Sequence, residues 1–232
     1  FRMKCKAIIF DMDDTLFLEK YYVLSGFKQV SLFLNEQFGI DTQESYKFLE
    51  NRFENYGRNK IFDLLLQKNS SDLGVVNIDS LIIRLVKVYR NHEPDIKLNP
   101  IVVNILKKIR KKKIKIAIAT DGLPKMQRNK FYALGLDRLV DEMVCCWDHD
   151  AAKPSIKCFK IAAKMLNVNI KNCVIVGDHP QHDIVPARIL GAISYRVKTG
   201  RFYNLNNDRK HPPHNEFSSL TEFFKEIIEY EY

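Results

Sequence analysis

The sequence predicts an α/β protein whose parallel sheet is flanked by helices, with an all-helical segment inserted after the first strand. Short apolar runs alternate with amphipathic helical patterns from about residue 99 onward, which is typical of βαβ units. Residues 7–10 (AIIF) form a fully apolar run that fits a strand buried on both faces. Between about residues 19 and 91 only helical periodicity occurs, so we expect this region to form the insert.

Four amphipathic helices are predicted within the insert. The apolar pattern of the first helix ends at Gly39. Asp41, followed three positions later by Glu44, predicts a capping box at the start of the second helix. The third covers about residues 61–66. The fourth begins at Asp79 and ends ahead of proline 94, because the residue before a proline disfavours helical geometry.

The second half of the chain supplies the other strands and their helices. Four further strands are predicted, at 114–119, 139–146, 174–176 and 193–197. Helices follow wherever proline or a capping residue suits a first turn, near Pro100, Pro124, Pro154, His182 and Ser219. Residues 199–217 are rich in Asn, Arg, His and Pro, and we expect them to form a long polar loop.

The composition is typical of a soluble globular protein. The 232 residues are 46% hydrophobic and 28% charged, which allows one large core or two smaller ones. No apolar run approaches the roughly 20 residues that span a bilayer, and Lys4 and Lys6 interrupt any secretory signal. Five cysteines without metal-ligand spacing are expected to be reduced thiols. These features predict a cytoplasmic protein with no membrane partner.

The net charge of +9 does not by itself indicate nucleic-acid binding. The longest basic run, residues 107–113, lies at the end of a predicted helix, where cations suit the helix dipole. That position is at the end of the sheet opposite the expected ligand crevice. The sequence also lacks a basic stripe with interleaved aromatic residues. We therefore expect no nucleic-acid partner.

Four strand ends bring polar side chains to one edge of the predicted sheet. These side chains are Asp11 and Asp13, Thr120, Lys153, and Asp178 with Asp183. Open α/β sheets bind their ligands at the carboxyl edge of parallel strands. Each group alone has an ordinary structural explanation, such as a turn or a helix cap. Their shared position favours an active site, because buried carboxylates are costly unless a metal or a proton transfer uses them.

This combination of motifs resembles the haloacid dehalogenase superfamily, whose phosphatases use an aspartate nucleophile. The matching segments are residues 11–15 (DMDDT), Thr120, Lys153-Pro154, and Gly177-Asp178 followed by Asp183. The resemblance implies a Rossmann-like core domain, residues 1–15 and 97–232. It also implies a mobile helical cap domain of the family's first (C1) class, residues 16–96, and a Mg²⁺ cofactor.

The resemblance assigns catalytic roles to the matching residues. Asp11 is the expected nucleophile, and its aspartyl-phosphate divides a very slow hydrolysis into two easier displacements. Asp13 is expected to protonate the leaving group and then to activate water. Thr120 is expected to donate its hydroxyl to a phosphoryl oxygen, and Lys153 to bind the phosphoryl group and balance its charge and that of the carboxylates. The expected Mg²⁺ ligands are Asp11, the Asp13 carbonyl, Asp178 and, through water, Asp183.

Several further positions bear on the substrate. Asp121, which stands where many members of the superfamily carry Asn, is expected to bind substrate beside Thr120. Arg58 lies in a polar turn between two cap helices and is a candidate for an anionic or hydroxylated substrate tail, with an exposed loop charge as the alternative. His179 and His182 flank the acidic motif and are interpreted as surface loop residues, with substrate contact as the alternative.

The predicted function is that of a Mg²⁺-dependent phosphatase acting on a small phosphorylated metabolite, such as a sugar phosphate or phosphoglycolate. Asp13 argues against a dehalogenase, which has no leaving alkoxide to protonate. One open alternative is a phosphomutase of the same superfamily, which would use identical catalytic residues. Another is a module of a larger multidomain biosynthetic protein, suggested by the abrupt start at Phe1. The chain is expected to be a monomer or a homodimer.

Overall fold

A computed structural model describes residues 5–74 and 77–229 of the chain. Residues 1–4, 75–76 and 230–232, which fall within the predicted domains, lie outside the described residues. The chain divides into two compact units, one formed by residues 1–19 and 97–232 and the other by residues 20–96. The role of residues 16–96 as a cap domain stays a prediction. Across the described part of the chain, no helix combines the length and apolar character needed to cross a membrane.

The smaller unit is helical. Its helices are α1 (Glu19–Phe38), α2 (Thr42–Tyr56), α3 (Ile61–Lys68) and α4 (Ile78–Asn91). Phe27 of α1 lies at the centre of its core, with ring centroids 5.9–6.2 Å from those of Phe53, Phe62 and Tyr89. Asp41 caps α2 as predicted, accepting a hydrogen bond from the Glu44 backbone at 2.7 Å. The Glu44 side chain, which the predicted capping box requires at the cap, instead pairs with Lys68 of α3 at 2.8 Å.

The larger unit is built on a parallel sheet. Its strands are β1 (Ala7–Phe10), β2 (Lys115–Thr120), β3 (Glu142–Cys145), β4 (Cys173–Gly177), β5 (Ile193–Val197) and β6 (Asn215–Phe217). Within the described residues these strands lie in the spatial order β3-β2-β1-β4-β5-β6, and every neighbouring pair is parallel. The predicted Rossmann-like α/β class is therefore confirmed.

Helices cover both faces of β1. The helices of this unit are α5 (Pro100–Lys111), α6 (Pro124–Ala133), α7 (Lys157–Met165), α8 (Val185–Ile189) and α9 (Leu220–Phe223). Ile9 belongs to the same buried cluster as Phe159 of α7. The next residue, Phe10, packs edge-on against Phe223 of α9, with ring centroids 6.3 Å apart. Because successive strand residues face opposite sides, a strand covered in this way must be apolar throughout.

The strand order creates a crevice at the carboxyl ends of β1 and β4. From β1 the chain proceeds outward through β2 to β3. It then returns to β4, on the other side of β1, and proceeds outward again to β6. Neighbouring strands whose connections leave in opposite directions leave a gap between the loops above them, and open α/β sheets bind ligands there.

The structure corrects the sequence prediction at several element boundaries. The predicted strand 139–146 is shorter, since β3 begins only at Glu142 and Cys146 already belongs to the 3₁₀ turn 146–149. The predicted polar loop 199–217 is wrong at its end, where residues 215–217 form β6. This strand has only three residues, of which only Phe217 is buried, so its sequence shows no alternating pattern. It forms a strand because it pairs with β5.

The expectation of reduced cysteines is wrong for one pair. Cys146 and Cys158 form a disulfide that joins the end of β3 to α7 and closes the loop that carries Lys153. Both cysteines are buried. The packing of α7 against the sheet brings their Cα atoms to 5.3 Å, within the range that a disulfide spans. Cys5, Cys145 and Cys173 are free thiols, as predicted.

Candidate active site

Three aspartates converge at the switch point of the sheet. Asp11 follows β1 directly, and its backbone amide continues the sheet by donating to the Val176 carbonyl at 2.9 Å. Asp178 follows β4, and Asp183 lies in the π-helical turn Pro180–Ile184 that precedes α8. All three are buried, and each offers an oxygen atom within 4.8 Å of the others. Such a cluster concentrates negative charge where little water reaches it.

Lys153 is the cation that this cluster contacts. Its Nζ lies 2.6 Å from Asp11 Oδ1 and 2.7 Å from Asp183 Oδ1, and only 3% of its side chain is exposed. Burial alone lowers the pKa of a lysine, but the attraction of Asp11 and Asp183 outweighs this effect and raises the pKa of Lys153. The lysine is therefore charged at every physiological pH. One positive charge cannot balance all three groups as carboxylates, so the cluster favours uptake of protons or of a further cation.

Asp178 has a buried carboxylate oxygen that could take a further ligand. Within the described residues its buried Oδ2 has no hydrogen-bond partner. Burial, reinforced by the charges of Asp11 and Asp183, raises the pKa of Asp178 to about 9. Burial also raises the pKa of Asp11 to about 7, even though Lys153 opposes the shift. Clustered carboxylate oxygens are the ligands that Mg²⁺ prefers, so the residues present fit that ion.

Asp183 is fixed by a close backbone contact. Its Oδ2 accepts a hydrogen bond from the His179 amide at 3.1 Å, while its Oδ1 accepts one from Lys153. A Cβ atom on Gly177 would lie 2.4 Å from Asp183 Cγ, so only glycine fits at that position. Close packing against Asp183 therefore explains why glycine precedes Asp178, and the sequence motif alone does not reveal this contact.

Asp13 lies in the same cleft but has different partners. Both of its carboxylate oxygens lie 2.8 Å from Lys130 Nζ, and Oδ2 also accepts from Gln127 Nε2 at 2.9 Å. Thr120, at the end of β2, is buried, and its Oγ1 accepts from the same Gln127 nitrogen at 2.6 Å. The metal role expected for the Asp13 carbonyl stays a prediction. Gln127 and Lys130 belong to none of the sequence motifs, and their only signal is two polar residues three apart on a short helix.

Of two further residues predicted to bind substrate, Asp121 lines the cleft and Arg58 lies in the helical unit. Both carboxylate oxygens of Asp121 accept from the backbone amide of Lys153, at 3.1 and 3.0 Å. This contact anchors the loop that carries the lysine, and a contact between Asp121 and substrate stays a prediction. Arg58 lies in the helical unit, between α2 and α3, and its predicted role also stays untested.

The rim of the cleft contains residues that sequence analysis assigned to surface loops. The cleft is lined by Asp11, Asp13, Thr120, Asp121, Lys153, Asp178, His179, His182, Asp183, Arg201 and Phe202. The rings of His179 and His182 stack with centroids 4.0 Å apart, and burial, followed by the charge of His182, lowers the pKa of His179 to about 4. Arg201 pairs with Glu19 at 2.7 Å. Both histidines border the cleft, and His182 is exposed while His179 is half-buried, which agrees with their interpretation as surface loop residues. The alternative, a contact with substrate, stays a prediction.

Arg196 explains why part of the polar loop reaches the cleft. This arginine lies within β5 and is almost completely buried. Its guanidinium donates to the backbone carbonyls of Asp178, Phe202 and Leu205, at 3.1, 2.8 and 2.8 Å. It therefore ties the end of β4 to the loop after β5. The available sequence signal was an arginine within the predicted strand 193–197.

Comparisons with known proteins agree with this arrangement. The haloacid dehalogenase-like hydrolase family profile matches residues 5–191. Glyceraldehyde 3-phosphate phosphatase of Methanocaldococcus jannaschii is 25% identical over 213 residues, covering 88% of this chain and 89% of that protein. The corresponding enzyme of Methanopyrus kandleri is 28% identical over 207 residues, covering 86% and 87%.

Solved structures show the same fold. The haloacid dehalogenase phosphatase of Thermococcus onnurineus is 24% identical, with a TM-score of 0.57 and coverage of 95% of this chain and 96% of that one. The β-phosphoglucomutase of Clostridium difficile is 19% identical, with a TM-score of 0.60 and coverage of 97% and 96%. The fold, the convergence of the motifs and the profile match lead to one conclusion: the chain is a hydrolase of the haloacid dehalogenase-like family.

Proposed function

We propose that this hydrolase is a Mg²⁺-dependent phosphatase that removes the phosphoryl group from a small sugar phosphate. The observation that carries the proposal is the convergence of Asp11, Asp178 and Asp183 around Lys153, with Asp178 Oδ2 lacking a hydrogen-bond partner among the described residues. The carboxylates of Asp11, Asp178 and Asp183 would hold the ion. When bound, Mg²⁺ supplies positive charge that offsets the carboxylates and the phosphoryl oxygens.

In the first step, Asp11 attacks the phosphorus atom. The bond between phosphorus and the substrate oxygen breaks, and Asp13 gives a proton to the departing alkoxide. Lys153 lies against Asp11 and is placed to stabilise the phosphoryl charge during transfer. Thr120, which lines the cleft, is placed to donate its hydroxyl hydrogen to a phosphoryl oxygen.

In the second step, the aspartyl-phosphate is hydrolysed. Asp13 takes a proton from water, the resulting hydroxide attacks phosphorus, and the bond to Asp11 breaks to give inorganic phosphate and the free carboxylate. Asp13 is thereby returned to its protonated form for the next cycle. The two steps need Asp11 as nucleophile and Asp13 as proton donor and acceptor. Their contacts differ, since Asp11 accepts from Lys153 and Asp13 accepts from Lys130.

The substrate class rests on the relatives. Archaeal proteins that match most of this chain at 25–28% identity are glyceraldehyde 3-phosphate phosphatases, which favours a triose phosphate or a sugar phosphate of similar size. A phosphate-release screen of glyceraldehyde 3-phosphate, phosphoglycolate and hexose phosphates tests this, with Asp11→Asn as the inactive control. Appearance of an isomeric sugar phosphate without inorganic phosphate would instead identify a mutase. No turnover of any sugar phosphate in the presence of Mg²⁺ would refute the proposal.

A further inference from the structure

We propose that Gln127 and Lys130 of α6 form a clamp that positions Asp13 and the Thr120 hydroxyl for the chemical step. This inference rests on the proposed function, because it assigns Asp13 as the proton donor. Neither residue belongs to the motifs that identify the family. Both are nevertheless buried polar residues whose side chains bind the site directly.

Lys130 fixes the carboxylate of Asp13 through both oxygens. The two Nζ–O distances are each 2.8 Å, and only 3% of the lysine side chain and 16% of the Asp13 side chain are exposed. A lysine shielded from water costs free energy unless it is paired, so its position indicates a specific role for this pair. Contact with both oxygens also limits rotation of the carboxyl group. When Asp13 is protonated, its oxygens keep lone pairs that can accept from Lys130, so the O–H hydrogen remains for the leaving group. Asp13 is thus held separately from Asp11, which Lys153 contacts.

Gln127 couples Asp13 to Thr120. A carboxamide nitrogen carries two hydrogens, and here one is directed at Asp13 Oδ2 (2.9 Å) and the other at Thr120 Oγ1 (2.6 Å). The opposite amide orientation would place two acceptor oxygens, from Gln127 and Asp13, against each other. Because Thr120 Oγ1 accepts from Gln127, the threonine keeps its own hydroxyl hydrogen for another acceptor. Thr120 lines the cleft, so the acceptor that we assign is a phosphoryl oxygen.

The local backbone is built for this contact. Gln127 and Lys130 are three positions apart, so both lie on one face of α6. Gly122, in the turn before α6, has a φ of +124°, and a Cβ atom there would lie 3.3 Å from Gln127 Cδ. Glycine therefore permits both the turn and the close approach of the glutamine. The clamp follows from sequence that is local to α6, while its targets come from β1 and β2.

Positioning of a proton donor matters most when the leaving group needs a proton. A sugar alkoxide is a poor leaving group, whereas p-nitrophenolate is a stable anion that departs without protonation. We therefore compare the first turnover of glyceraldehyde 3-phosphate with that of p-nitrophenyl phosphate, using Gln127→Leu, Lys130→Met and Asp13→Asn. Arg128→Met is the matched control, because Arg128 lies on the same helix but is half exposed and pairs with Asp148.

We expect Gln127→Leu to slow the first turnover of the sugar phosphate by about 10- to 100-fold. The same variant should slow p-nitrophenyl phosphate by less than about threefold, reproducing the pattern of Asp13→Asn. Adding Gln127→Leu to Asp13→Asn should slow the sugar phosphate only by the small factor that Gln127→Leu causes with p-nitrophenyl phosphate. The positioned acid is already absent there, and the remaining effect through Thr120 is common to both substrates. Gln127→Leu removes no charge, so it carries the test if Lys130→Met unfolds.

Equal slowing of both substrates, or additive losses in the double variant, would show a merely structural role and overturn the inference. Wild-type rates in Gln127→Leu would do the same. The proposed function fails separately: if wild type releases no phosphate from either substrate, or if Asp11→Asn is as active as wild type, phosphatase chemistry is refuted and the clamp with it. An active wild type, an inactive Asp11→Asn and unselective clamp variants would refute the clamp alone.

Discussion

Replacement of Lys153 by methionine should destabilise the metal-free protein strongly. Lys153 contacts Asp11 and Asp183 at 2.6 and 2.7 Å, and the three side chains are 3%, 12% and 2% exposed. Methionine fills similar space but removes the one cation that contacts these two aspartates in the described structure. Asp11 and Asp183 would then lose the cation that separates their negative charges.

The magnitude follows from the cost of an unpaired buried charge. Removing one partner of a buried ion pair costs about 3–5 kcal/mol, in contrast to about 0–1 kcal/mol for an exposed pair. The cost depends on pH. Asp11 and Asp178 have folded-state pKa values of about 7 and about 9, well above the value of about 3.9 for an unfolded aspartate. The folded state therefore binds more protons, and stability falls as pH rises from about 4 through these values.

The assay is thermal and urea unfolding in EDTA at pH 5.5 and pH 8.5. We expect a loss of about 3–5 kcal/mol in Lys153→Met at pH 8.5 and a smaller loss at pH 5.5, where Asp11 is already largely protonated. Addition of Mg²⁺ should recover part of the stability at pH 8.5. Lys198→Met, which removes an exposed partner of Glu216 at 3.7 Å, is the control. A loss below about 1 kcal/mol at pH 8.5, or equal losses at the two pH values, would refute the argument.

Three other predictions test the site and the fold. Asp11→Asn should abolish phosphate release while leaving the far-ultraviolet circular dichroism spectrum unchanged, and retained turnover would contradict the nucleophile assignment. Asp178→Asn should weaken Mg²⁺ binding in calorimetric titration by at least about tenfold, and unchanged affinity would exclude Asp178 as a ligand. Reduction of the Cys146–Cys158 bond should lower the unfolding free energy by about 3 kcal/mol, because the bond closes a loop with a sequence separation of 12. The same melting temperature with and without reductant would show that this bond does not stabilise the protein.

Much of the larger unit could be predicted because its signals are local. The apolar run of β1, the alternation of strands and helices, and the proline at the first turn of α5 and of α6 each involve residues within a few positions of one another. The fold class and the family were confirmed on this basis. The short strand β6 was missed because its own sequence shows no strand periodicity, and it forms only by pairing with β5.

The contacts within the site could not be predicted in the same way. The motifs indicated which residues meet at one edge of the sheet and that Lys153 balances the carboxylates, but not which atoms contact one another. Lys153 and Asp11 are 142 positions apart, and Lys130 and Asp13 are 117 positions apart. Arg196 and Gln127 carry no motif, and their hydrogen bonds appear only once β4, β5 and α6 are packed.

The sequence by itself determined the order of strands and helices and the arrival of acidic groups at their carboxyl ends. Periodicity and turn chemistry act between near neighbours, so they are present in the unfolded chain as preferences. The tertiary structure alone decided that Lys153 contacts Asp11 and Asp183, that Lys130 contacts Asp13, and that Asp178 has an oxygen without a hydrogen-bond partner among the described residues. The physical reason is that burial and charge pairing depend on which distant segments exclude water together, and that is settled only when the sheet and its helices are assembled.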